Sequence, residues 1–84
     1  MKYEIRFTSQ ALKDVKKLSA NLAQKLKGIL EEVISVRPYS GKKLWGDLKG
    51  YYSYRLNIKD RILYSVNERK RRVVIKRART HYGE

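Results

Sequence analysis

The chain has 84 residues and a formal net charge of +13, from 21 lysines and arginines against 8 aspartates and glutamates. This length allows one small domain, and a hydrophobic content of 42% supports a modest core, which excludes a disordered basic tail. The absence of cysteine excludes a disulfide framework and a thiolate metal site, and no apolar run approaches the roughly 20 residues that span a bilayer. We therefore expect residues 1–84 to form a single domain in the cytoplasm, without a membrane or metal partner.

The positive charge is concentrated in the second half of the chain. Residues 1–40 carry 8 basic and 4 acidic side chains, whereas residues 41–84 carry 13 basic and 4 acidic ones. Such a bias favours a polyanionic partner. Nucleic acid is the leading candidate, followed by an acidic protein and then an anionic membrane surface. The alternative is a charged surface that serves only solubility.

The first residues predict a strand and then a helix. Tyr3, Ile5 and Phe7 alternate within residues 2–7, as in a strand with one buried side. Thr8 or Ser9 can cap the helix that follows. The apolar stripe of that helix recurs at spacings of three and four and comprises Ala11, Leu12, Val15 and Leu18.

A second helix is predicted after a break at Ser19 or Asn21, either of which can cap it. Its buried stripe comprises Leu22, Leu26, Ile29, Leu30, Val33 and Ile34. Pro38 cannot continue a helix. Two consecutive amphipathic helices with a short joint predict an antiparallel helical hairpin.

The second half changes to the period of strands. Three strands are predicted over residues 51–58, 61–66 and 72–78, after loops over residues 38–41 and 45–47. In the first of these strands the side chains expected on one face are Tyr52, Tyr54, Leu56 and Ile58. Trp45 lies in a glycine-bounded loop and is expected to plug the core beneath the helices.

The predicted order is therefore β-α-α-β-β-β, an α+β fold with the helical hairpin packed on one face of a small, mostly antiparallel sheet. One helical block cannot cover both faces of this sheet. The other face should look at solvent or a ligand, and it should be basic, because the strands contribute Arg55, Arg61, Lys76, Arg77 and Arg79.

Arg61 stands at the start of a strand just after a turn, where it could clamp a phosphate or be only a solvated charge. Two further groups of residues could carry chemistry. The first interleaves basic with aromatic residues, as in surfaces that neutralise phosphates and stack on bases, although most of its tyrosines are expected in the core. It comprises Lys42, Lys43, Trp45, Lys49, Tyr51, Tyr52, Tyr54, Arg55, Arg61 and Tyr64. The second is the C-terminal segment with Arg77, Arg79, His81 and Tyr82. His81 is the only histidine, and imidazole exchanges protons near neutral pH. The alternative is a frayed basic tail.

Three motifs in order give the chain a resemblance to a known family. They are residues 43–56, which read KLWGDLKGYYSYRL, residues 60–66, which read DRILYSV, and the ending Arg79-Thr80-His81-Tyr82. With the β-α-α-β-β-β order, they resemble the RelE/ParE superfamily of type II toxin–antitoxin toxins over nearly the whole length. Within it, the chain looks like the RelE and YoeB messenger-RNA interferases.

The resemblance implies cleavage of mRNA in the ribosomal A site by 2′-OH attack, without a metal or cofactor. By position, Arg61 matches the arginine that stabilises the scissile phosphate, and Arg55 matches a basic residue of the preceding strand. His81 and Tyr82 match the C-terminal catalytic pair, with His81 as the proton donor to the leaving oxygen. Further phosphate-binding candidates are Arg77, Arg79, Lys42, Lys43 and Lys49. The implied partners are mRNA, the ribosome with its 16S rRNA, and a cognate antitoxin.

One departure concerns the general base. The YoeB branch has a glutamate before the second strand, where this chain reads Gly41-Lys42-Lys43. A lysine must lose its proton to act as a base, which requires a depressed pKa. Lys42, Lys43, Lys49 and Asp47 stay open as candidates. Two other functions also stay open: a ParE-like toxin that poisons DNA gyrase, and a non-catalytic module that binds nucleic acid.

Overall fold

The computed structural model describes residues 2–79, which form five strands and two α-helices. The strands are β1 (Glu4–Phe7), β2 (Lys42–Lys43), β3 (Tyr51–Arg55), β4 (Arg61–Asn67) and β5 (Arg72–Arg77). The helices are α1 (Ser9–Lys16) and α2 (Ala20–Ile29). A π-helical turn over Leu30–Ile34 prolongs α2, and short 3-10 turns cover Pro38–Ser40 and Gly46–Leu48. No helix within residues 2–79 is long and apolar enough to cross a bilayer.

The sheet has the strand order β1-β5-β4-β3-β2, with β1 parallel to β5 and every other pair antiparallel. The predicted α+β fold, with helices on a mostly antiparallel sheet, is confirmed. The predicted β-α-α-β-β-β order lacks one strand, because residues 42–43 form β2. Lys42 pairs with Ser53 and Lys43 with Tyr52, so this short strand exists only through its partner and leaves no periodic pattern of its own.

Both helices begin where the sequence predicts. Thr8 Oγ1 accepts a hydrogen bond from the Ala11 amide at 3.1 Å, and Ser19 Oγ accepts one from the Leu22 amide at 3.2 Å. Each cap satisfies an amide that the first helical turn would leave without a partner. The caps thereby determine the residues at which α1 and α2 begin.

The core lies between the helices and one face of the sheet. Alternate strand residues contribute to it, as a strand with one buried face requires. Its buried members are Tyr3, Ala11, Leu26, Leu30, Ile34, Leu56, Ile62, Tyr64, Val73, Ile75 and Ala78. Leu63 is also buried, but it lies between Ile62 and Tyr64 in β4 and therefore belongs to the opposite face.

Two predicted core positions were wrong. Trp45 is 69% exposed, and the Lys43 ammonium lies 5.0 Å from the centre of its ring. Ile58 is 93% exposed, because β3 ends at Arg55 and the chain has already turned. In the predicted series Tyr52, Tyr54, Leu56 and Ile58, Leu56 is the last residue that is buried. Beyond it the alternation of a strand no longer predicts which side chains face the core.

Tyr64 fastens the connection between the helices and β2 to the centre of the sheet. It is fully buried in β4, donates its hydroxyl hydrogen to the Pro38 carbonyl at 2.8 Å, and accepts from the Gly41 amide at 3.0 Å. Burial raises the pKa of Tyr64 to about 12, so the hydroxyl stays protonated and can donate. A Cβ on Gly41 would overlap this hydroxyl and lie 2.9 Å from the Ser53 carbonyl oxygen. Only glycine therefore fits at this point.

Asp14 fixes the end of β5 against α1. This carboxylate is 4% exposed and accepts from Arg77 Nε at 2.8 Å and from the Ala78 amide at 3.1 Å. Burial by itself would raise the pKa of Asp14, but the hydrogen bonds from Arg77 and Ala78 outweigh it and lower that pKa below its usual value. The expectation that Arg77 belongs to the open basic face was therefore wrong, because its guanidinium turns towards α1.

We expect Tyr64→Phe to lower the free energy of unfolding by about 1–3 kcal/mol, since the buried Gly41 amide and Pro38 carbonyl would lose their partner. Urea denaturation measures this change. Tyr54→Phe is the matched control, because Tyr54 is half-buried on the same face and its hydroxyl makes no hydrogen bond with residues 2–79. Equal losses in the two variants would contradict the anchoring role.

We expect Asp14→Asn to lower the free energy of unfolding by about 2–4 kcal/mol at pH 7, less than for a fully buried pair because Arg77 is partly exposed. The lowered pKa of Asp14 implies stability that is present above about pH 4 and is lost as the pH falls through the folded-state pKa. Denaturation between pH 2 and pH 6 should show a shallower acid loss in the variant. An unchanged acid profile would contradict this assignment.

Candidate nucleic-acid interface

Two arginines face each other at the ends of neighbouring strands. Arg55 is the last residue of β3, Arg61 is the first of β4, and the antiparallel register pairs them directly. The turn between them is closed by hydrogen bonds from the Leu56 and Asn57 amides to the Asp60 carbonyl, at 3.0 and 3.2 Å. Asn57 Oδ1 also accepts from the backbone amides of the turn. A short, tied turn therefore keeps the two arginines side by side.

This arrangement costs stability, since like charges directly opposite in a sheet repel one another. Within residues 2–79 neither arginine forms an ion pair. The ion pairs of this part of the chain lie elsewhere and join Arg6 and Arg72 to Glu4 and Arg77 to Asp14. An uncompensated arginine pair is suited to an external anion, because two guanidinium groups can donate several hydrogen bonds to phosphate oxygens.

The arginine pair lines an open groove of about 520 Å³. The groove runs along the edge of β3 beside the residues that precede β2, and it reaches α2. Its lining residues are Lys25, Ile29, Ser40, Gly41, Lys42, Ser53, Tyr54, Arg55 and Arg61. Four of these residues are cationic and, among the residues that the structure describes, none is acidic. The groove therefore concentrates positive charge, which attracts a polyanion. We name it the edge groove.

The anchor at Tyr64 places one wall of the edge groove. The Gly41 amide is held on the Tyr64 hydroxyl, and Lys42 follows directly as the first residue of β2. Lys42 pairs with Ser53, two residues before Arg55 on the same face of β3. Lys42 thus joins the arginine pair because a buried hydroxyl on the other face of the sheet holds the backbone beside it.

The other predicted site residues are not brought into this groove. Lys43 packs on Trp45, Lys49 is exposed after the second 3-10 turn, and Arg77 is bound to Asp14. Arg79 is exposed as the last residue that the structure describes. His81 and Tyr82 lie outside the described residues. Asp47, the acidic alternative for the base, is exposed in the Gly46–Leu48 turn.

Sequence reasoning missed the contribution of α2 and of the edge of β3. Lys25 and Ile29 are four residues apart and therefore share one face of the helix, which was the available signal. Tyr54 was recognised as a strand residue, but its place beside the groove depends on where β2 begins. Ser53 Oγ is buried in the groove lining, and it has no hydrogen-bond partner within residues 2–79.

A second polar cluster braces the neighbouring turn. Glu68 accepts from the hydroxyls of Tyr3 and Tyr39, each at 2.7 Å. The hydrogen bond to Glu68 raises the pKa of Tyr39 to about 12, and the same two hydrogen bonds lower the pKa of Glu68. Tyr39 also packs edge-on against Tyr52, with ring centres 5.5 Å apart. The Pro38–Ser40 turn is therefore held from both sides, and Glu68 is already engaged.

The described residues include no group of three histidines, cysteines, aspartates or glutamates placed to hold a metal ion. The described cations of the edge groove, which are Lys25, Lys42, Arg55 and Arg61, offer fixed positive charges. These charges can bind a phosphate and stabilise negative charge that develops on it.

Comparison with known proteins identifies the family. Residues 5–81 match the family model described as the ParE toxin of the type II toxin–antitoxin system parDE. A search of curated proteins gives no match.

Solved structures agree with this family model. The chain is similar to the RelBE2 toxin–antitoxin complex from Mycobacterium tuberculosis, with 30% identity over 96% of this chain and 99% of that one, and a TM-score of 0.86. It is similar to the YoeB–YefM complex from Staphylococcus aureus, with 27% identity over 98% of this chain and 100% of that one, and a TM-score of 0.79. It is also similar to the RelBE toxin–antitoxin complex from E. coli, with 25% identity over 93% of this chain and 95% of the matched chain, and a TM-score of 0.77. The chain thus belongs to the ParE toxin family, and it is a type II toxin of the RelE/ParE superfamily, of the RelE/YoeB-like type.

Proposed function

We propose that this toxin is a ribosome-dependent endoribonuclease that cleaves mRNA in the A site and thereby inhibits translation. The observation that carries the proposal is the directly paired Arg55 and Arg61, in a groove whose described lining contains further cations and no carboxylate. Similarity to RelE and YoeB toxins supports the same reading. mRNA held in the ribosome is the proposed substrate, with 16S rRNA forming part of the surroundings.

In the proposed reaction the substrate provides its own nucleophile. The ribose 2′-oxygen forms a bond to the neighbouring phosphorus, its proton passes to a base, and the bond from phosphorus to the 5′-oxygen breaks. The products are a 2′,3′-cyclic phosphate and a 5′-hydroxyl. Negative charge on the phosphoryl oxygens rises in the transition state, and Arg61 with Arg55 stabilises it. No metal or cofactor enters this sequence of steps.

The reaction needs an acid and a base for its two proton transfers. His81 is the proposed acid that protonates the leaving 5′-oxygen, assisted by Tyr82, on the strength of the resemblance at the C-terminus. For the base, Lys42 is favoured over Lys43 and Lys49, because Lys42 alone of the three lines the edge groove with the arginines.

We further propose a cognate antitoxin as the partner that silences this activity. Structures similar to this chain include toxin–antitoxin complexes. An acidic or amphipathic segment that folds on the toxin would neutralise the edge groove.

A second candidate is gyrase poisoning, which the description of the matching family as ParE favours. That activity requires neither His81 nor a phosphate-stabilising arginine pair. A gyrase supercoiling assay with the purified toxin tests it directly. Inhibition of supercoiling without mRNA cleavage would move the assignment to this candidate.

We expect Arg61→Ala to reduce mRNA cleavage by about 100- to 1,000-fold, the size of effect that follows from removing one group that stabilises the transition state. Primer extension on mRNA bound to purified ribosomes measures cuts at the A-site codon. Arg69→Ala is the matched control, because Arg69 is exposed in the β4–β5 turn and forms no ion pair within residues 2–79. Full cleavage by Arg61→Ala would remove this residue from the site.

The same variant should not lose stability. We expect Arg61→Ala to raise the free energy of unfolding by up to about 1 kcal/mol, since it relieves the repulsion between paired like charges. Urea denaturation gives this value. Loss of cleavage together with a lower free energy of unfolding would mean that Arg61 is structural.

We expect His81→Ala to abolish the A-site cuts while its circular-dichroism spectrum and unfolding midpoint match those of the wild type. Loss of the general acid leaves the 5′-oxygen to depart unprotonated, which typically costs about 100- to 10,000-fold in rate. Unchanged cuts in the variant would exclude His81 from the chemistry.

A further inference from the structure

The edge groove extends beyond the arginine pair. Arg55 and Arg61 lie at its sheet end, whereas Lys25 and Ile29 enter it from α2. Lys25 is exposed, and within residues 2–79 it forms no ion pair and no side-chain hydrogen bond. The proposed reaction assigns a role to the arginines and Lys42 but leaves Lys25 without one.

The charge in the edge groove exceeds what one phosphate needs. A phosphodiester carries one negative charge, and the arginine pair alone can meet it with bidentate hydrogen bonds. The described lining adds the ammonium groups of Lys25 and Lys42 without a carboxylate. A groove of about 520 Å³ has the size of cavities that hold ligands larger than a single phosphate.

The groove also has an apolar wall. Ile29 and Tyr54, both half-buried, line it between the helix and the edge of β3. A ribose or a base between two phosphates can rest on such a wall, since aromatic and aliphatic side chains pack against the faces of nucleotides. Positive groups on both sides of an apolar strip match the alternation of phosphate and nucleoside along a single strand.

We infer that Lys25 binds a second phosphodiester of the RNA, next to the one held by Arg55 and Arg61. This inference rests on the proposed function for the identity of the strand as RNA. The edge groove then binds two consecutive phosphates. Lys25 of α2 holds the RNA in register, while Arg55 and Arg61, at the ends of β3 and β4, face the scissile bond. Lys25 is a binding residue in this scheme and takes no part in proton transfer.

The test uses the full chain and a fluorescein-labelled hexanucleotide with 2′-O-methyl riboses, which cannot be cleaved because its nucleophile is blocked. Fluorescence anisotropy gives the dissociation constant between 50 and 200 mM KCl for the wild type, Lys25→Ala and Lys27→Ala. Lys27 is the matched control, because it is exposed on the same helix and does not line the edge groove. Circular dichroism checks that both variants are folded, and Lys25→Gln replaces Lys25→Ala if the alanine variant is not.

We expect Lys25→Ala to weaken binding by up to about fivefold at low salt. The slope of log affinity against log salt should fall by about 0.7, which corresponds to one lost contact with a single-strand phosphate. Lys27→Ala should keep the wild-type slope. Unchanged binding by Lys25→Ala would overturn the inference. Equal losses of affinity in Lys25→Ala and Lys27→Ala would also overturn it, because they would show only the effect of a lower net charge.

A second arm locates the partner of Lys25. A hexanucleotide with one neutral methylphosphonate linkage, moved along the strand, removes one phosphate charge at a time. At one position the neutral linkage should make Lys25→Ala and wild type bind equally. Once the phosphate that contacts Lys25 has lost its charge, removing the lysine as well costs no further binding energy. Absence of any such position would overturn the inference. The toxin could fail to cut mRNA on ribosomes while Lys25 gives the expected result in both binding experiments. That outcome would contradict the proposed nuclease activity but support the second phosphate site.

Discussion

The buried hydroxyl of Tyr64 is the constraint on which the rest of the site depends. It lies at the centre of the sheet, on the face covered by the helices, and ties the Pro38 carbonyl and the Gly41 amide to β4. A polar group at this depth costs stability unless it is satisfied, and both of its bonds go to backbone atoms of one connection. That connection therefore cannot drift, and Lys42 follows it onto the edge of β3. Without this tie, the wall of the edge groove would be held only by the hydrogen bond from Tyr39 to Glu68 and by the pairing of β2 with β3.

Fixed backbone explains how the domain tolerates two adjacent arginines. Arg55 and Arg61 repel each other, but the turn between them is tied by hydrogen bonds and the strands around it are packed on the core. The repulsion is therefore held in place and is not relieved by local movement. A site held ready for negative charge needs little reorganisation when that charge arrives, which is the condition for electrostatic stabilisation of a transition state. The expected gain in stability on removing Arg61 is the measurable counterpart of this arrangement.

Acidic side chains are used mainly away from the edge groove. Asp14 binds Arg77 at the end of β5, Glu4 pairs with Arg72, and Glu68 accepts from two tyrosines. These contacts brace the strands and turns, and they leave the groove cations without carboxylate partners in the described part of the chain. The uneven charge of the sequence thus becomes a local excess at one edge of the sheet. A polyanion is the ligand for which such an excess is suited.

The sequence by itself determined the fold class, the start of each helix to within two residues and the place of Arg61 at the start of a strand, because periodicity, capping and turn chemistry are local properties. It did not place Arg55 opposite Arg61, because the predicted strand ran on to Ile58. Only the tertiary structure decided which residues share the edge groove. Lys25 joins it through helix packing, and Lys42 through a strand that exists only by pairing. Arg77 leaves the open face because Asp14, 63 residues away in sequence, binds it. Trp45 could not be placed from its loop, since exposure depends on where the core closes. Contacts between distant segments follow from packing, and no local pattern records them.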